Sequence, residues 1–255
     1  MDVWEDKLSS KLEGFSCRIL KRNCVDLSDK HYTRRSVELT DEQAMAYKQT
    51  KDVAVTLLKK DGSLVTAKKV LTQMSRLQQI CSGFIKTDDG QIERLSTNKL
   101  TELLTVLEEV TGKVIIWAVY VEDLRMIQVT LAKQYGSESV AVYAGKTHPE
   151  ERQVIVLEFQ NPDSELRFFV GQSRTGGYGL TLTEASTVIY YSNSFDLEVR
   201  IQSEGCAHRI GQKNNVTYID LVTENTVEEK VLKALRNKIN IASEVLYEGY
   251  KEWLI

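Results

Sequence analysis

Hydrophobic and polar positions alternate in two rhythms along this chain. From Gly112 onward, short apolar runs of strand length, Val114–Ala118, Val140–Tyr143, Leu166–Val170, Val188–Tyr191 and Val216–Val222, alternate with stretches of helical length at about 122–134, 149–159 and 196–209. Runs apolar on every position are buried on both faces of a sheet. Strand–helix–strand alternation predicts right-handed crossovers and a mostly parallel sheet covered by helices.

Before Gly112 the period is helical. Thr40 and Gln43 are spaced as a capping box opening a helix to about Lys59, because each side chain reaches the other's backbone N–H. Asp61-Gly62-Ser63 signals a turn. A helix over about 66–81 follows, with Val70, Leu71, Met74, Leu77, Ile80 and Cys81 on one face. Thr87-Asp88-Asp89-Gly90 reads as a hairpin or loop, and Ser96-Thr97-Asn98-Lys99 caps a helix whose apolar positions are Leu100, Leu103, Leu104, Leu107 and Val110. A last helix opens at the capping box Thr226–Glu229, carries the stripe Val227, Val231, Leu235 and Ile239, and ends near Tyr247. Residues 1 to about 36 are polar and mixed, locally basic at Lys21, Arg22, Arg34 and Arg35, and read as a connector.

Composition narrows the class. The chain has 255 residues, 42% hydrophobic and 27% charged, enough to bury a core in one or two domains. Its net charge of −3 argues against a dedicated basic nucleic-acid binder but leaves room for a local basic groove. The cysteines Cys17, Cys24, Cys81 and Cys206 form no Cys-x-x-Cys pair, so no metal site is expected and a reducing compartment fits. No apolar run reaches the roughly 18 residues of a membrane span, and the first residues do not read as a signal peptide.

Candidate chemistry lies in the loops. Gly145-Lys146-Thr147 follows a strand and precedes a helix, but a phosphate-binding P-loop would need a glycine where Val140 stands. Gly176-Gly177-Tyr178-Gly179 is not a dinucleotide fingerprint, since counting from Gly177 and Gly179 puts Leu182 at the third glycine. The glycine turn after one strand and the segment Gln202–Gln212 after the next place two polar loops at the same strand ends, where open α/β sheets bind ligands. Arg209 presents a permanently charged fork of donors suited to a phosphoryl group. No base accompanies Cys206 as a nucleophile, and His208 reads as positional.

Gly176-Gly177-Tyr178-Gly179-Leu180-Thr181-Leu182-Thr183 resembles motif V, and His208-Arg209-Ile210-Gly211-Gln212 the end of motif VI, of the Swi/Snf-like family of superfamily-two helicases. Tyr190-Tyr191-Ser192-Asn193-Ser194-Phe195-Asp196 is similar to bacteriophage members. The resemblance implies an α/β fold, a RecA-like three-layer αβα lobe with a mostly parallel sheet, an N-terminal helical extension and a C-terminal helix. The implied division is 1–95 connector and extension, 96–225 lobe and 226–255 C-terminal helix.

The family implies an ATP-driven motor on double-stranded DNA, with ATP and Mg2+ held mainly by an N-terminal lobe. That lobe would be separately encoded or severed, because this sequence holds neither a Walker A nor an acidic metal-binding motif. By resemblance, Arg209 is an arginine finger and Gln202 organises motif VI. Gly177 and Gly179 face the nucleotide, and Gly145, Thr147, Gln172, Arg174 and Thr175 face DNA. The chain alone is expected to be inactive, and a phage product would work in the host cytoplasm. One departure stands out: the family pattern has an arginine three residues before Arg209, preceded by an acidic residue, and this chain has Gly205-Cys206. The competing reading is therefore a catalytically degenerate DNA- or partner-binding module.

Overall fold

The computed structural model describes residues 27–60, 64–87, 89–176 and 179–245. Its centre is a six-stranded sheet in the order β1-β8-β7-β4-β6-β5. The strands are β1 Lys30–Val37, β4 Lys113–Ala118, β5 Val140–Tyr143, β6 Phe168–Gln172, β7 Ala185–Tyr190 and β8 Val216–Thr223. Each neighbouring pair is parallel. Strands β2 (Phe84–Lys86) and β3 (Ile92–Arg94) form a separate antiparallel hairpin around the expected turn. This is the RecA-like α/β lobe that the sequence predicts.

Alternation along each strand sorts the core into two layers. On one face, Val114, Ile116, Val170 and Ile189 pack under α3 (Asn98–Glu109) and α4 (Val121–Tyr135), through Leu103, Val106, Leu107, Leu124, Ile127 and Leu131. On the other, Ile115, Trp117, Phe169, Val188, Tyr190 and Tyr218 pack under α5 (Pro149–Gln160) and α7 (Leu197–Ala207), through Ile155, Phe159, Cys206 and Ala207. A third cluster joins α1 (Asp41–Lys60), α2 (Leu64–Ser82) and α8 (Val227–Val245) through Tyr47, Leu77, Ile80, Cys81, Val231 and Leu235.

The Thr40–Gln43 box forms as predicted, whereas at Thr226 the side chain caps but the reciprocal bonds are shifted by one residue. Thr40 N–H donates to Gln43 Oε1 at 3.1 Å and Gln43 N–H to Thr40 Oγ1 at 3.2 Å. Thr226 Oγ1 accepts from Glu228 N–H at 3.2 Å, and Glu229 reaches back to the Asn225 N–H at 3.2 Å. Of the apolar face expected on α2, Leu77, Ile80 and Cys81 are buried and Met74 is partly so, whereas the side chains of Val70 and Leu71 lie outside the description.

One element departs from the sequence reading. Lys30–Val37, read as connector, is an eight-residue edge strand in register with β8. Its outward side chains are polar and basic, as edge strands that avoid further pairing usually are. Arg34 and Arg35 spend their charge on Glu229 and Glu109.

Candidate nucleotide and nucleic-acid face

The loops after β5 and β6 stand together outside the carboxyl ends of the sheet. Gly145 and Thr175 approach closely enough that a Cβ on Gly145 would lie 3.9 Å from Thr175 Oγ1. Thr147 folds its own loop, accepting from Ala144 N–H at 3.0 Å and donating to Val142 O at 3.3 Å. Arg152, on α5, donates to Thr147 O, Ala144 O and Gly145 O at 3.0–3.1 Å. Those carbonyls are thus satisfied from behind, while Gly145, Lys146 and Arg174 are exposed.

Gln172 is half-buried and joins this edge to the interior. Thr175 Oγ1 donates to Gln172 Oε1 at 3.2 Å, and Gln172 Nε2 to Val119 O at 3.0 Å. Val119 N–H donates to Ser192 Oγ at 2.9 Å, and Ser192 Oγ to Asp123 Oδ2 at 2.7 Å. Asp123 is 0% exposed, and burial pushes its carboxyl up to about 7, against the pull of the Ser192 hydrogen bond and the Lys99 ammonium. Sequence reasoning had no signal for Asp123 beyond its place three residues after Tyr120, whose N–H it caps at 3.4 Å.

The glycine turn divides by role. Gly171 and Gly176 are buried, and a Cβ on either would lie 2.3 Å and 2.7 Å from Trp117 Cζ3. Both leave room for the indole, which is a packing reason. Gly179 is exposed with φ +77°, the left-handed region that favours glycine. Gly177 lies outside the described residues.

The chain then runs along α7, where Leu182 N–H donates to Cys206 O at 2.9 Å. Arg209, just past α7, is exposed and donates through Nη1 to Leu180 O at 3.3 Å. The glycine loop and the arginine therefore meet on the α5/α7 face, not beside Gly145 outside the carboxyl ends. The two loops do not share strand ends as expected, because α7 first carries the chain back toward the amino end of β8. The segment after Arg209 is clamped by Gln212, whose Nε2 donates to Ala185 O, Thr183 O and Ala207 O at 2.8, 3.0 and 3.3 Å. Gln202 is exposed on α7, and its carboxamide makes no hydrogen bond among the described residues. Gln212, which ties three carbonyls together, is legible in the sequence only as the end of the motif.

Residues 96–211 match the helicase conserved C-terminal domain. The chain is 28% identical over 250 residues to the putative ATP-dependent helicase/translocase YwqA of Bacillus subtilis, covering 94% of this chain and 27% of that protein. It is 39% identical over 105 residues to the transcription regulatory protein SNF2 of Saccharomyces cerevisiae, covering 41% of this chain and 6% of that one. Residues 96–211 are thus matched as a helicase C-terminal domain, and the chain is similar to Swi/Snf-like helicases there. Solved structures agree on the fold. The C-terminal part of the Fun30 ATPase domain superposes with a TM-score of 0.69 at 17% identity, over 82% of this chain and 90% of that one. The Sulfolobus solfataricus SWI2/SNF2 ATPase core in complex with dsDNA gives 0.68 at 24% identity, over 96% of the lobe and 52% of that chain.

The lobe departs from the motif VI pattern inside its core. Cys206 is 1% exposed, and its thiol points at Gly176 O and Gln202 O, each 3.6 Å away. The position thus faces the glycine turn from beneath, as a packed thiol. Six residues before Cys206 in α7, a buried guanidinium is held fast. Arg200 donates to Asp220 Oδ1 and Oδ2 at 2.5 and 3.1 Å, to Glu204 Oε1 at 2.9 Å and to Asn193 Oδ1 at 2.8 Å. Arg200 is spent in this network, which anchors α7 to β8. Among the described residues no cluster of His, Cys, Asp and Glu fits a metal ion, and no helix is long and apolar enough to cross a membrane.

Proposed function

We propose that this lobe supplies the arginine finger and part of the DNA track of an ATP-driven double-stranded DNA translocase. The nucleotide phosphates and Mg2+ would be held by an N-terminal ATPase lobe, on the same polypeptide or another. The observation that carries the reading is the meeting of Arg209 with the glycine loop at Leu180, on an exposed face of a helicase C-terminal lobe. Phosphoryl transfer needs positioning and charge neutralisation more than covalent chemistry from the protein. An exposed guanidinium oriented by a backbone carbonyl is suited to meet γ-phosphate charge once a second lobe closes over it. Exposed Gly179 supplies backbone free of side-chain cover at the same place.

At the carboxyl edge, Gly145, Thr147, Gln172, Arg174 and Thr175 form the DNA-facing set. Free backbone at the start of α5 and the exposed cations Lys146 and Arg174 suit phosphate contacts, which position without reading sequence. Thr147 and Gln172 serve by shaping their loops, since their side-chain groups are engaged internally. Gln202, exposed on α7, helps organise the motif that carries Arg209 from the face an N-terminal lobe would cover. The sequence similarity to YwqA, named a putative helicase/translocase, supports the same reading.

The second reading, a binding module relieved of catalysis, is favoured by Cys206 alone. The two separate on one substitution. In the completed motor, Cys206→Arg should raise kcat about tenfold or more with little change in KM, because a second arginine acts mainly in the transition state. It should also cost about 1–3 kcal/mol of stability, since the position is packed. Steady-state phosphate release with saturating duplex DNA measures the first, and urea unfolding the second. No measurable turnover in either protein would leave the binding module standing.

A further inference from the structure

Motif VI is tied to the segment by which the chain enters the sheet. His208 is the C-cap of α7 and the immediate neighbour of Arg209. Its Nε2 lies 2.7 Å from the backbone carbonyl oxygen of Ser28. A carbonyl oxygen only accepts, so the imidazole donates and Nε2 carries the proton. One turn earlier on α7, buried Glu204 takes a hydrogen bond from Tyr32 Oη at 2.9 Å and an ion pair from Lys30 Nζ at 3.2 Å. Tyr32 stacks on Tyr218 of β8 with centroids 5.1 Å apart, and the Tyr218 hydroxyl donates to Glu204 O at 2.9 Å. Asp29 N–H is held by Asn215 Oδ1 at 3.1 Å. Residues 28–32 thus grip α7 at two points, the second adjacent to Arg209. They are more than 170 positions away in sequence, and β1 is the outermost strand on its side.

We propose that His208 is a positioning residue through which the segment entering β1 sets the placement of Arg209. The proposal rests on the finger reading above. Among the described residues the Arg209 guanidinium makes one hydrogen bond, 3.3 Å to Leu180 O, and the Arg209 carbonyl accepts from Gln212 N–H at 3.0 Å, so its aim depends on where the backbone at 208–209 stands. That backbone is fixed from inside by the His208 N–H donating to Glu204 O at 3.2 Å, and from outside by the imidazole on Ser28 O. A pull on the entering segment therefore reaches the arginine through one side chain, while the buried Arg200–Asp220 anchor keeps the rest of α7 still. The device makes ATP turnover responsive to the disposition of whatever precedes β1.

The test uses the completed motor, this chain with its N-terminal ATPase lobe, and compares wild type with His208→Ala, His208→Gln, Tyr32→Phe and Arg209→Ala. Misplacing a catalytic group by a fraction of its reach costs about 10- to 100-fold. His208→Ala should therefore lower kcat by about that factor with KM for ATP unchanged, and shift Tm by only about 2–4 °C. Glutamine places an amide N–H near the lost imidazole donor, so His208→Gln should recover kcat to within about threefold of wild type. Tyr32→Phe loosens the other grip from outside the motif and should give a smaller loss of the same kind. This second variant carries the test if His208→Ala does not fold. Wild-type kcat in His208→Ala and Tyr32→Phe, beside a collapsed Arg209→Ala, would overturn the coupling and leave the finger intact. Equal losses in Ala and Gln with a raised KM would also overturn it, as a merely structural role. An unaffected Arg209→Ala would remove the finger reading, and the coupling with it.

Discussion

Asp123 stabilises the carboxyl edge at a cost that depends on pH. Its carboxyl sits at about 7 in the folded chain against an ordinary 3.8, because burial outweighs its hydrogen bonds and the Lys99 ammonium. Well below the ordinary 3.8, both folded and unfolded forms bind the proton and the group contributes nothing to pH dependence. As pH rises toward 7 the unfolded chain releases the proton while the folded chain keeps it, so stability falls; above 7 the loss is complete. Asparagine keeps an acceptor for Ser192 and removes the titration. Asp123→Asn should gain roughly 2–4 kcal/mol on wild type at pH 8, with the gain shrinking toward pH 4. Urea unfolding at the two pH values checks this, and a pH-independent difference would contradict it. Lys99 is itself held by Glu228. Lys99 Nζ contacts both Glu228 oxygens at 2.6 and 2.7 Å, and Lys99 is 0% exposed.

At the scale of elements, the sequence was legible where an apolar run or a helical period marks the element. β5 begins and ends where the apolar run does, α4 is longer than its expected span by a residue at each end, and α5 by one residue at its C-terminal end. β1 was illegible because an edge strand needs no apolar pattern: Lys30-His31-Tyr32-Thr33-Arg34-Arg35 is polar, and its strand character comes from pairing with β8. The site was legible in its motif residues and illegible in its supports. Gly179 and Arg209 announce themselves in sequence. The Ser28 carbonyl and Arg152, which hold the two ends of the site, are set by contacts that no local pattern encodes. The paired loops after β5 and β6 make a prediction of their own. Duplex binding should be weak, independent of sequence and steeply salt-dependent, because counterion release supplies the affinity. In a fluorescence-anisotropy titration, Arg174→Ala should lower affinity and reduce the slope of log K on log salt by about one. An unchanged slope would remove Arg174 from the track.

Taken whole, the molecule is a RecA-like α/β lobe with its own internal rigging. It spans 27% of YwqA and 6% of yeast SNF2, and within its sequence the phosphate cradle and metal-binding carboxylates of a P-loop motor are missing. What it offers is an exposed arginine held to the Leu180 carbonyl beside exposed Gly179, with Gln212 clamping the segment that follows and His208 bonded to Ser28 O. The measurement that reaches the central claim most directly is DNA-stimulated phosphate release from three preparations: the chain alone, the chain completed by an N-terminal ATPase lobe, and that same motor carrying Arg209→Ala. The account predicts no turnover above a boiled control for the chain alone, turnover on duplex DNA for the completed motor, and a loss on the order of 10³-fold or more in kcat on removing the arginine. Turnover by the chain alone, or a completed motor indifferent to Arg209→Ala, would contradict it.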